Sequence, residues 1–184
     1  PVLLKAAKKT EFKYGSSDAA EAFIKYAESL GENGETELCK KALKEIFKAN
    51  QSDDLLHNYS GALKIYADNF GYEAIPLLLK AIENNNKAFR YSVLNIAEDI
   101  GGIAGTRKWI KKADDVSPEI KAEIIYMLGR RGDQLAVDMV TANLASPSDL
   151  VRVEAINALV NLKEKEAVPI LIQHMSAGQD IEIG

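Results

Sequence analysis

Cysteine is nearly absent: Cys39 stands alone in 184 residues, so no disulfide forms within the chain, and a lone thiol fits either redox compartment. Beside Leu38 and Leu43, with no histidine near it in sequence, it reads as an ordinary, partly buried thiol. Histidine is almost as scarce, His57 and His174 being the whole supply. At roughly 8–10 Å per packed helix layer the two are expected on the order of 25–30 Å apart, too far to share a metal or a triad. No apolar run approaches the roughly 18 residues of a membrane span. The first residues carry no secretory leader, which leaves the compartment open in a chain whose beginning is expected to be missing. A basic excess is lacking too. The net charge of −4 argues against nucleic acid as the main partner, because neutralising phosphates needs a surplus of cations.

What is present is periodicity. Phe89-Arg90, Ile120-Lys121 and Val151-Arg152 follow one another at a step of 31 residues. Glu73-Ala74-Ile75-Pro76 returns as Glu166-Ala167-Val168-Pro169 after three such steps. A fixed step of this length signals stacked supersecondary units. Within a unit one set of columns is Ala62, Val93, Ile124, Ala155; then Ile65, Ile96, Met127, Ala158; then Tyr66, Ala97, Leu128, Leu159. In the last unit these give Val151, Ala155, Ala158, Leu159, the i, i+4, i+7, i+8 stripe of an amphipathic helix. A second set follows after a short gap: Ala74, Gly105, Ala136, Ala167; Ile75, Thr106, Val137, Val168; Leu78, Trp109, Val140, Leu171; Ile82, Ala113, Leu144, Met175. Each unit is thus a pair of helices, and no strand pattern competes.

Punctuation agrees. Asn86, Ser117 and Ser148 share the position before the first helix, where a side-chain oxygen caps the free amides. Pro118 and Glu119 suit the first helical turn. Gly101 and Gly132 share the stop position, with Lys163 a weaker stop in the last unit. Pro76 and Pro169 fall in the opening turn of the second helix, which tolerates proline. Asp53-Asp54 and Asp114-Asp115 read as capping pairs ahead of helices.

The expected architecture is all-α: an α-solenoid, a right-handed superhelix of stacked antiparallel helix hairpins of HEAT or armadillo type, forming a single array over 1–184. Its units are 52–84, 85–115, 116–146 and 147–177, preceded by a divergent repeat over 15–51 and a partial one over 1–14. Residues 17–30 and 35–50 form the divergent helix pair, and 178–184 begin a further unit or a linker. Pro1 to Ala7 mirrors Pro76 to Ile82, and Asp180 lies one step after Asp149, so both ends are expected to be cut from a longer parent. Val2, Leu3 and Leu4, and the stretch Ile170 to Met175, are expected to leave apolar surface at the terminal units.

The run Ser148-Asp149-Leu150-Val151-Arg152-Val153-Glu154-Ala155-Ile156-Asn157-Ala158-Leu159, followed by Glu166-Ala167-Val168-Pro169-Ile170-Leu171, resembles a HEAT-like repeat of the short bacterial kind known from phycobilisome lyases. The resemblance implies a scaffold. It does not carry the lyase activity, for no bilin-site motif is present. Lys13-Tyr14-Gly15-Ser16-Ser17-Asp18-Ala19-Ala20 resembles segments of helical-repeat regions in large bacterial proteins that also hold a sugar-hydrolase domain.

Few residues offer chemistry. Gly101-Gly102-Ile103-Ala104-Gly105-Thr106 lacks the Gly-Lys-Ser/Thr ending of a phosphate loop and follows a helix, so it reads as the hairpin turn. Arg90, Lys121 and Arg152 share a column, which in HEAT-like proteins implies a ladder of ion pairs to acidic groups of neighbouring repeats; Tyr59 interrupts it. Trp109 belongs to a core column. The resemblance implies that second helices line a concave face, which places Lys80, Lys111 and Gln173 outward, with Arg107, Lys112 and His174 nearby. Arg107-Lys108 and Lys111-Lys112, one turn apart, make a local basic cluster in an acidic chain. The functional expectation is a non-catalytic scaffold for a protein or peptide, without cofactor or metal, and also in contact with further repeats or domains of its own parent. The alternative is an accessory module of a larger multidomain bacterial enzyme, a secreted sugar hydrolase.

Overall fold

A computed structural model describes residues 2–13, 18–49 and 52–182, with side chains described as far as residue 174. Tyr14 to Ser17, Pro1 and the side chain of Met175, all named above, lie outside the described residues. Among the described residues there is no strand, and the fold is all-α, an α-solenoid of helix hairpins. The chain divides into two compact units, Pro1–Ile96 and Ala97–Gly184.

In the first unit, α1 (Val2–Lys9) packs on α2 (Ala19–Glu32), α2 pairs with α3 (Thr36–Ala49), and both lie against α4 (Leu56–Phe70), which turns into α5 (Ile75–Ala81). Ala20, Phe23, Ala27, Cys39, Leu43 and Ile46 share one apolar cluster with Ala62 and Ile65 of α4. Phe12, whose loop position offered no helical signal, is wholly buried in that cluster and meets Phe23 edge-on at 6.1 Å. Asn58, itself buried, donates to the Phe12 carbonyl at 2.9 Å and so satisfies a backbone acceptor that water does not reach. Cys39 is fully buried rather than partly so, and burial pushes its thiol up, away from the thiolate.

The boundary between the units falls inside α6 (Lys87–Glu98). The second unit continues through α7 (Gly102–Ala113), α8 (Pro118–Arg131), α9 (Val137–Ala142), α10 (Asp149–Lys163) and α11 (Ala167–Glu182). Its densest packing is α8 against α10. There a Cβ added to Gly129 would lie 2.5 Å from the Cα of Ala158, so only glycine lets the two helices approach so closely.

The columns behave as periodicity requires. Ala62, Val93, Ile124 and Ala155 are buried, as are Leu78, Trp109 and Val140, while Leu171 is half-buried. Asn86 and Ser117 cap their helices, accepting from the amides of Phe89 at 3.0 Å and Ile120 at 3.4 Å. Ser148 does not: its own amide donates to the Ser146 hydroxyl at 3.3 Å, and its side chain makes no capping bond. Lys163 is not the residue that turns left-handed after α10; Glu164 is, with φ 49°. Asp114, read as a cap ahead of a helix, stands instead at the C-terminus of α7 and pairs with Lys121 at 3.5 Å. Asp53 and Asp54 open a short 3₁₀ turn without a side-chain cap.

In the cation column the two arginines also reach backbone carbonyls. Arg90 is buried and donates to the carbonyls of Asn84 and Asn85, at 3.0 and 3.1 Å. Arg152 donates to the Ser146 carbonyl at 2.8 Å, the same repeat position as Asn84, and also pairs with Asp149. Each arginine therefore caps the carbonyl-rich end of the preceding unit's second helix, where orphan acceptors and the negative end of the dipole favour a cation. Lys121 pairs with Asp114 of the preceding unit at 3.5 Å.

Candidate functional site

The basic cluster lies on α7. Gly105, Thr106, Trp109 and Ala113 form the buried face of this helix, and Arg107, Lys108 and Lys111 project to solvent from the opposite one. Residues 102–113 contain no aspartate or glutamate. Among the described residues Arg107, Lys108 and Lys111 make no ion pair or side-chain hydrogen bond, unlike Lys8, Lys25, Lys40, Lys64 and Lys121, each of which is paired with a carboxylate. Lys112 is half-buried and engaged within the chain, so it contributes less to the open face than its spacing suggested. Three uncompensated cations on one helix create a local positive potential in an acidic protein.

The other expected site residues fall elsewhere. Lys80 is exposed on α5 in the first unit, at the mouth of a cleft of about 330 Å³ floored by Leu56, Tyr59 and Phe89. The rings of Tyr59 and Phe89 lie 5.5 Å apart, and burial raises the Tyr59 phenol above its ordinary value. Gln173 and His174 are exposed on α11 in the second unit. His174 borders a smaller cleft with Leu144, Arg152, Ile156 and Leu171. No group of three or more histidine, cysteine, aspartate or glutamate side chains suited to a metal occurs among the described residues.

The glycine turn at the start of α7 is occupied by the protein itself. Gly101 and Gly102 have φ of 85° and 49°, and the turn presents carbonyls rather than amides to its polar neighbour, Arg131. The Arg131 guanidinium donates to the carbonyls of Ala97 (2.7 Å), Glu98 (3.1 Å), Ile100 (2.7 Å) and Gly102 (2.8 Å). Its Nε donates to the Thr106 hydroxyl at 2.9 Å, which in turn donates to Asp133 at 2.7 Å. Asp133 also accepts from the Leu135 amide, holding the turn into α9. Burial lowers the affinity of Arg131 for its proton, and the chain of acceptors keeps the cation in place. Beside it, desolvation raises the Glu98 carboxyl despite Arg130 at 3.1 Å.

Sequence reasoning missed this network. The signal was there: Arg131 interrupts the apolar column of Ile100 and Leu162, and Thr106 that of Ile75, Val137 and Val168. Two polar residues replacing apolar ones, at positions 25 residues apart, mark a buried polar contact between successive units.

Residues 106–183 match the family model for HEAT repeats. No curated protein matches the chain. Over those residues the repeat is HEAT-like, and HEAT repeats generally act as scaffolds for protein interaction. No helix among the described residues is long and apolar enough to cross a membrane.

Proposed function

We propose that this chain is a non-catalytic helical-repeat scaffold that binds a protein or peptide, and that the outward face of α7 receives an acidic segment of the partner. The observation that carries the reading is the set of Arg107, Lys108 and Lys111, exposed, without intramolecular carboxylate partners among the described residues, and on a helix that has no acid of its own. A rigid helix presents these charges at little entropic cost. Because the charges are exposed, salt screens them, and their contribution falls on association rate and selectivity more than on final affinity. Lys80, Gln173 and His174 are subsidiary candidates on other helices. The accessory-module reading rests on the resemblance at Lys13 to Ala20 alone, and an assay of the parent protein on glycosidic substrates tests it.

A fluorescein-labelled peptide rich in aspartate and glutamate provides the probe. Wild-type chain is expected to bind it with an affinity that falls as salt rises, and the double substitution Lys108→Glu, Lys111→Glu to weaken binding by about tenfold or more. Neither side chain is buried, so the helical circular dichroism and melting temperature should not change. Equal affinity and equal salt dependence in the variant would show that the cluster is merely a solvated helix face.

A further inference from the structure

We infer that Asn33-Gly34, in the turn between α2 and α3, is a latent site of spontaneous deamidation, which the helix cap restrains until the turn opens. It is the one Asn-Gly pair in the sequence. The fold itself demands the glycine. Helix α2 ends at the cap residue Asn33, and Gly34 follows at φ 76°. The Glu35 amide donates to the Leu30 carbonyl at 2.8 Å, and the Gly34 amide to that of Gly31 at 2.9 Å. These are the two bonds of a Schellman turn, whose left-handed residue is best supplied without a Cβ. Both members of the pair are exposed, and a Cβ added at Gly34 would meet nothing within 4 Å, so water has free access.

The chemistry needs only these two residues and water. The Gly34 backbone nitrogen gives up its proton to solvent and attacks Cγ of the Asn33 side-chain amide. The new N–Cγ bond closes a five-membered succinimide, and the side-chain nitrogen takes up a proton and leaves as ammonia. Water then opens the ring at one of its two carbonyls, leaving either aspartate at 33 or isoaspartate, in which the chain runs through the side-chain carbon. No oxidation state changes. A following glycine favours the attack, because no Cβ crowds the nitrogen and its backbone turns freely.

In the folded chain both reacting groups are engaged elsewhere. The Asn33 side-chain amide donates back along α2, to the Ser29 carbonyl at 2.7 Å and the Ser29 hydroxyl at 3.2 Å. The Gly34 N–H is committed to Gly31. Attack requires both restraints to break, so that the side chain swings over the following peptide and the nitrogen comes free. Surface turns open locally without global unfolding, and the pair therefore reacts through a minor open population. The turn does not accept the product. A carboxylate at 33 has no proton to donate to Ser29 and sets a negative charge at the carbonyl end of α2, the unfavourable end of the dipole. Isoaspartate adds a backbone carbon inside the span closed by the Leu30–Glu35 bond.

Peptide mass spectrometry of the whole chain tests this, with the chain incubated at neutral pH both folded and in guanidinium chloride, beside a synthetic peptide of residues 26–40. The peptide and the denatured chain are expected to convert Asn33 to the acid ahead of every other asparagine, with isoaspartate among the products. The folded chain should convert it at least about tenfold more slowly. Hydrogen exchange ties that restraint to the cap: mild denaturant that speeds exchange of the Gly34 amide should speed deamidation in proportion, since both need the bond to Gly31 broken. Asn33→Asp installs one product directly, and it should keep the helical circular dichroism while melting about 2–4 °C lower. A folded chain deamidating at the peptide's rate, a rate that ignores Gly34 exchange, or another asparagine reacting first in the denatured chain would overturn the proposal. An Asn33→Asp chain that melts no lower than wild type would overturn the claim that the turn rejects its product.

Discussion

Glu164 holds φ 49° and ψ −121°, almost the conformation of Gly71 at φ 52° and ψ −117°, three repeat steps earlier. Both residues follow the last turn of a first helix and reverse the chain into the second. A side chain at positive φ crowds its own backbone, which costs on the order of 1–2 kcal/mol, and glycine escapes that penalty while losing more chain entropy on folding. Glu164→Gly is therefore expected to stabilise the second unit by about 1 kcal/mol, read as a rise in the denaturation midpoint at constant slope. An unchanged or lower midpoint would mean that the turn holds no strain. Trp109 raises a related question of residue chemistry: its ring is fully buried, as its column demanded, yet its indole N–H finds no partner among the described residues. The apolar column dictated the burial of the ring and could say nothing about the fate of its one polar atom.

At the scale of elements, the helix pairs follow from local rules that repeat, and the contacts fastening one pair to the next do not repeat. The positions of α6, α8 and α10, their buried columns and the caps at Asn86 and Ser117 were legible because the same requirement recurs every 31 residues. Phe12 was not, since it is buried from a loop by packing with α2 and by Asn58 from a distant helix. The face of α7 was legible as a run of charges, but its distinguishing property, the lack of carboxylate partners for three of them, depends on what surrounds the helix. Arg131 is the sharpest case. It occurs at one repeat only, and its worth lies in four carbonyls and a hydroxyl supplied by α7 and by the end of α6. Arg131→Ala strips these acceptors of their donor and leaves Thr106 and Asp133 half-satisfied, an effect expected to cost about 3 kcal/mol or more. Arg131→Lys should recover less than half of the loss, because an ammonium cannot match the planar fork of donors. Urea titration measures both, and a loss below about 1 kcal/mol for the alanine variant would place the carbonyls within easy reach of water.

Across the whole molecule, a repeat fold distributes stability by neighbours, because a helix covered on two sides loses far more surface to packing than one covered on a single side. In the second unit α8 has seven buried residues among fourteen, including Ile124, Ile125, Met127 and Leu128, and the Gly129 contact with α10 locks it further. In the first unit α1 buries only Ala7 of its eight residues, with Val2 82% and Leu3 38% exposed, and Leu4 partly covered. The end of the chain shows the same trend down a single column: Val140 is buried, Leu171 half-buried, and the neighbouring Val168 and Ile172 more than half exposed. Opening of a helix with few buried contacts does not require unfolding its neighbours, so its amides exchange by local rather than global events. Native-state hydrogen exchange in dilute solution is accordingly expected to show the amides of α8 and the middle of α10 slowest, and those of α1 exchanging orders of magnitude faster. The measurement should be made in dilute solution, so that self-association does not add protection. Protection of α1 equal to that of α8 under those conditions would show the first unit to open only as a whole, with α1 fastened by more than the burial of Ala7.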